Sequence, residues 1–232
     1  MKKRCALLCV LVLVLALALP GVASAAETSR YSVLGASAYG EIWPEGAETP
    51  ELFVGVFGGT YTSSYRTPGV RPFKDSITDL SVFADWPAED PEGVSVSVYG
   101  TLSPYDIGID RNLTKAGAQA VIEGVRVTYT LQPCPDQPDC WEQITLSEEP
   151  VLIEVDIMWT GVGEISKQRY ILKDITADYS LMDRSNGRFR VAEVEGSVII
   201  DGVDVTDGIE LVGDLSDSKG GTRIIGQLPY WE

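Results

Sequence analysis

Residues 151–200 read VLIEVDIMWT GVGEISKQRY ILKDITADYS LMDRSNGRFR VAEVEGSVII, and the fold class turns on them. Val151, Ile153, Val155, Ile157 and Trp159 share one parity, with Glu154 and Asp156 between them. That period of two is a β-strand with one face in a core and one in water. A two-residue turn at Val162-Gly163 predicts a hairpin that sets Val155 opposite Tyr170, Ile153 opposite Leu172 and Asp156 opposite Arg169. A second turn is expected at Asn186-Gly187, because both residues tolerate positive φ. Counting outward places Leu181 opposite Ala192, Tyr179 opposite Val194 and Asp178 opposite Glu195, with Glu193 across from Ser180. In this register Glu193 and Glu195 face water.

Outward from this stretch the same alternation recurs. It appears in Tyr31–Trp43, Leu52–Thr60, Ile77–Trp86, Val94–Tyr99 and Val121–Leu131, with Gly- and Pro-bearing turns between the runs. No apolar run keeps helical period for more than two turns. The expected fold is all-β, a mostly antiparallel β-sandwich or an open or closed β-barrel of about 8–11 strands. An outer-membrane barrel would need an outward apolar band. Asp156, Arg169, Glu193 and Glu195 on the non-core face argue against one.

Residues 1–25 read as an export signal. Lys2, Lys3 and Arg4 precede the apolar segment Ala6–Leu19, and Ala23-Ser24-Ala25 supplies a small-x-small cleavage pattern. The remainder, 26–232, reads as a single secreted β domain, destined for the extracellular medium or a periplasmic or cell-wall space. The whole chain holds 18 Lys and Arg against 34 Asp and Glu, with no histidine. Removing the three basic residues of the signal leaves a net charge near −19, from 15 basic and 34 acidic residues. Such a surface disfavours nucleic acid and anionic lipid as partners and reads first as a solubilising coat.

The same composition limits the chemistry. Without histidine there is no Ser-His-Asp or Cys-His catalysis and no histidine-ligated metal. Cys134 and Cys140 are expected to form a disulfide after export, which removes the remaining thiols. Ser216-Asp217-Ser218-Lys219 has the S-x-x-K spacing of acylating serine enzymes but none of their partner motifs. The Asp-Gly cluster at 201–208 reads as turn chemistry.

Three candidate sites remain. Asp178, Glu193 and Glu195 form an acidic face that calcium, a hard cation with oxygen ligands, could neutralise. The same carboxylates could serve as an acid/base pair on a glycosidic bond. Trp43 and Trp86, each before a proline at a strand end, could stack on sugars. The expected function is therefore a secreted binding or structural module, with a calcium- or carbohydrate-binding module and a carboxylate-based glycan enzyme as alternatives. Its partner would be a cation, a glycan or another protein.

Overall fold

The structure, a computed structural model, describes residues 27–67, 69–90, 92–134, 140–176 and 179–226. The export signal, Asp178 and Trp231 lie outside these residues. Ten strands form one antiparallel sheet: β1 (Glu27–Ile42), β2 (Leu52–Arg66), β3 (Phe73–Trp86), β4 (Val94–Leu102), β5 (Lys115–Pro133), β6 (Trp141–Gly161), β7 (Ser166–Ile175), β8 (Tyr179–Ile200), β9 (Val203–Asp204) and β10 (Val212–Gly226). Among the described residues there is no helix. Pairing of β10 with both β1 and β8 closes eight of the strands into a barrel, in the order β1-β2-β3-β4-β5-β6-β8-β10.

The closure can be traced along one hydrogen-bonded row. From Gly161 it passes Ala192, Gly213, Ala38, Val56, Val82, Gly100 and Gly124, and returns to the same strand at Val151. The stagger is thus 10 residues, from 151 to 161 on β6. Eight strands with that stagger tilt by about 40° and enclose a lumen that side chains can fill.

They do fill it. Trp159, Leu80, Ile122, Ile153, Ile157 and Leu215 are fully buried inside the wall. Trp159 lies over a floor of small residues. A Cβ on Gly213 would stand 3.1 Å from its Cδ1, and its Nε1 donates to the Ser37 carbonyl at 2.8 Å. Glycines on the inner face make room elsewhere: a Cβ on Gly124 would fall 2.6 Å from Ile153 Cδ1.

Both ends of the lumen are capped. Between β4 and β5, residues 103–114 fold inward and bury Ile107 and Leu113. Ile107 occupies the space beside Gly58, where a Cβ would meet its Cγ2 at 2.6 Å. Backbone bonds hold this plug to β3 and β5, Tyr105 N to Thr78 O at 3.0 Å and Gly117 N to Ile107 O at 3.0 Å. Asp110 accepts from the Thr114 amide and hydroxyl, which holds its carboxyl below the usual range. At the other end Val205, Ile209 and Leu211 close the barrel, and Gly40 leaves space for Ile209. The β5–β6 hairpin projects beyond that end, with Cys134 and Cys140 disulfide-bonded at its tip.

Two expected hairpins are absent. β6 does not fold back on β7. Instead β6 pairs with β8 from Ile153–Ile200 to Gly161–Ala192, and β7 continues along the same edge from Ser166–Phe189 to Ile175–Ser180. Gly163 is left-handed, at φ 68, but it sits in an outward bulge, and Val162 N still bonds Val191 O at 2.8 Å. Likewise Asn186 and Gly187 do not turn. Neither has positive φ, and β8 passes through them paired to β7 on one edge and β10 on the other. Two full ladders of hydrogen bonds outweigh one local turn preference. In consequence Tyr170 and Leu172 point outward and are exposed, not buried opposite Val155 and Ile153. Glu195 pairs with Met158 rather than with Asp178, and Arg169 pairs with Asn186 rather than with Asp156.

Candidate anion-binding face

Past the plug, six strands continue the barrel wall as a curved open sheet in the order β3-β2-β1-β10-β8-β7. β4 and β6 stop short of this region, so the outer edges of β3 and β7 are unpaired by other strands there. The face continuous with the lumen changes character within one row. Below lies Leu215, paired with Ala36; above lies a row of Thr78, Thr60, Leu34, Asp217, Arg188 and Lys167. The next row holds Ser76, Thr62, Ser32, Lys219, Asn186 and Arg169. A third holds Lys74, Ser64, Arg30, Gly221, Arg184 and Ile171. The last holds Arg66, Thr28, Arg223, Met182 and Lys173.

These 23 positions carry ten of the 18 Lys and Arg in the chain and only one of its 34 Asp and Glu. Strand spacing and pleat make the face roughly 25 Å across and 20 Å deep. Nine of the ten cations are exposed; Arg188 is half-buried. Among the described residues, only Arg188 and Lys219 of the ten have a carboxylate within 4 Å, and it is the same one, Asp217. Arg188 grips it through Nε at 3.2 Å and through Nη2, while Nη2 also donates to the Arg111 carbonyl of the plug at 2.9 Å. Just beneath, Arg190 keeps a buried Nε that has no hydrogen-bond partner. The other cations face water.

Local sequence explains the arrangement. In Arg184-x-Asn186-x-Arg188-x-Arg190 and Lys167-x-Arg169-x-Ile171-x-Lys173 the basic residues recur at period two, so each strand presents them on one side. The other side of the sheet is aromatic. Tyr31, Tyr61 and Tyr65 cluster there, and burial followed by repulsion from Tyr65 and Tyr31 pushes the Tyr61 hydroxyl up. Tyr31 lies over Gly220, where a Cβ would come within 2.5 Å of its ring.

Within the inner face, neutral residues separate most cations. Ser64 stands between Lys74 and Arg30, Thr28 between Arg66 and Arg223, and Gly221 between Arg30 and Arg184. Cations this close lie within about one Debye length, roughly 8 Å in physiological salt, so their fields add. The arrangement can bind an extended anion through charge-assisted hydrogen bonds, with six arginines offering planar forks to carboxylate, sulfate or phosphate.

The metal and sugar-stacking candidates read from sequence that the structure describes, Glu193, Glu195, Trp43 and Trp86, lie elsewhere. Glu193 and Glu195 are exposed on the outer barrel wall, paired with Thr160 and Met158. Among the described residues no group of three or more His, Cys, Asp or Glu is placed to hold a metal. Trp43 and Trp86 stand at the end of the barrel remote from the plug. Trp43 is 47% exposed and donates to Glu41 at 2.6 Å; Trp86 is half-buried against the core. Ser216 and Lys219 point to opposite faces of β10 and cannot meet, which disposes of the S-x-x-K spacing. Asp201 and Asp204 act in turns. Asp201 accepts from Leu152 N and Arg126 at 3.0 Å each, and Asp204 caps Thr206 N at 2.9 Å. A shallow outer depression of about 480 Å³ carries Glu154 and Asp156 beside Gln119 and Ser197.

No protein-family model matches the chain, and neither does any curated protein. Among solved structures, the translocator domain of autotransporter NalP from Neisseria meningitidis aligns over 94% of this chain and 92% of its own, at 11% identity. Its TM-score of 0.14 is too low to carry an argument.

Proposed function

We propose that this protein is an exported, water-facing β-barrel module that binds an anionic chain along the inner face of its six-stranded extension. The observation that carries the reading is the segregation of charge. Ten exposed or half-exposed cations meet one carboxylate on a single face, in a chain with nearly twice as many acids as bases. Self-repulsion on such a face disfavours the folded state, and a bound polyanion would relieve it. The acidic remainder of the surface keeps the protein soluble and turns anions toward the one basic trough. Glu123, Glu154, Asp156, Glu193 and Glu195 on the outer wall are exposed, where hydrocarbon would not accept them, which supports a wall bathed in water.

The test is titration of the chain lacking residues 1–25 with fluorescently labelled polyglutamate at 50, 100 and 200 mM NaCl. Binding should weaken by up to about 300-fold across that range if six charges are neutralised, using the single-strand counterion slope of about 0.7 per contact. The triple variant Arg30→Ser, Arg184→Ser, Arg223→Ser should lower the log–log slope by about 2. Absence of salt-sensitive binding, or an unchanged slope in the variant, refutes the reading.

A further inference from the structure

We infer that the anionic chain is an acidic polysaccharide, an inference that rests on the binding role proposed above and specifies its ligand. The observation is which neutral side chains share the face with the cations. Eight of the 23 positions on the inner face are Ser, Thr or Asn, and none is aromatic. Thr62 and Ser32 sit side by side in the row that ends in Lys219, Asn186 and Arg169, and Ser64 separates Lys74 from Arg30. Thr78, Thr60, Ser76, Thr62 and Ser32 adjoin one another in the two rows nearest the plug, and Ser64, Thr28 and Asn186 stand between cations, so neutral donor–acceptors lie beside and among the charged donors. A hydroxyl-rich chain that also carries carboxylates or sulfates matches both sets. The groups of a polyuronate that carry charge meet the guanidinium forks, and its ring hydroxyls meet the Ser and Thr hydroxyls.

Other polyanions fit the face less well. Single-stranded nucleic acid is held by stacking its bases on aromatic side chains, and this sheet keeps its aromatics on the opposite side. A lipid surface is flat and is gripped by inserted apolar and aromatic groups. The inner face continues the curved wall of a barrel and offers only Leu34, Ile171 and Met182 as larger apolar side chains. An acidic peptide supplies carboxylates and one backbone amide per residue but lacks the dense hydroxyls of a sugar chain, so it matches the neutral patch, where Thr62 and Ser76 bond each other at 3.2 Å, less fully.

Polygalacturonate and polyglutamate of matched length carry one carboxylate per residue and differ chiefly in the hydroxyls. Calorimetric titration of the chain lacking residues 1–25 should show about tenfold tighter binding to polygalacturonate at 100 mM NaCl. In the variant Thr62→Val, Ser64→Ala that preference should shrink by at least half while polyglutamate affinity stays within twofold. Thermal melting of the variant checks that the sheet is intact, and the single substitution Thr62→Val, which suits a strand, serves if the pair is unstable. Equal affinity for the two polymers overturns the inference and leaves the anion-binding role standing. So does tighter binding to oligo(dT) or to phosphatidylglycerol vesicles. Failure of both polymers to bind overturns the proposed function itself.

Discussion

Replacing Trp159 with alanine tests whether the barrel interior is assembled as described. The indole is fully buried, and the residues around it are small: Ala38, Ala192 and Gly213 lie in the row beneath. None can expand to fill the space, so truncation leaves a cavity, with a cost of about 3–5 kcal/mol for a buried aromatic. The Nε1 bond to the Ser37 carbonyl spans from β6 to β1 across β8 and β10, and its loss adds about 1 kcal/mol. The sum, about 4–6 kcal/mol, is a large part of the roughly 5–15 kcal/mol that keeps a domain folded. For a domain of this size each kcal/mol shifts the melting midpoint by about 2–4 °C, so a fall of roughly 10–20 °C is expected by circular dichroism. Trp159→Phe, which retains most of the volume, should lose less than half as much. A fall under 4 °C for the alanine variant, or equal falls for both, would refute the packing described for this residue.

Three other outcomes follow from particular contacts. Burial raises the Asp214 carboxyl above its ordinary range, opposed only in part by the Ser37 hydroxyl at 2.6 Å. Its contribution to stability is therefore present below the unfolded value and lost as pH rises through the folded one. Asp214→Asn should raise the urea midpoint at pH 7 more than at pH 4, and a variant no more stable than the parent at pH 7 contradicts this. Asn186→Val should leave stability unchanged or raise it by up to about 1 kcal/mol, since the residue is extended within β8. A clear loss in urea unfolding would restore the turn expected from sequence. Gly58→Val should cost about 1–3 kcal/mol by driving a side chain into Ile107, and Ile107→Ala in the same chain should recover part of that. Additive losses in this double-variant cycle would show that the plug does not sit against Gly58.

The candidate site was only half legible in the sequence. The pattern Arg184-x-Asn186-x-Arg188-x-Arg190 is visible by eye, and it already says that these side chains share a face. What it does not say is which face the basic residues of distant strands occupy. Arg30, Arg66, Lys74 and Arg223 come from four separate segments, and they join Arg184 only through the β1–β10 and β8–β10 pairings. The assumed turn at Asn186-Gly187 also hid the pattern, because it assigned Arg184 and Arg188 to different strands. With that turn removed, Glu195 pairs with Met158 on the outer wall, Asp178 lies outside the described residues, and the basic face is the candidate.

Period-two hydrophobicity was enough to establish an all-β chain, the inward set from Val151 to Trp159 and the outward Glu193 and Glu195, and two cysteines six residues apart were enough for the disulfide. Those properties depend on a residue and its near neighbours. Barrel closure, the collinear run of β6 into β7 and the gathering of ten cations on one face depend on pairings between residues as much as 197 apart, as Glu27 is from Ile224. Hydrogen-bond ladders and core packing select those partners together, and no local turn preference of about 1 kcal/mol can outvote them.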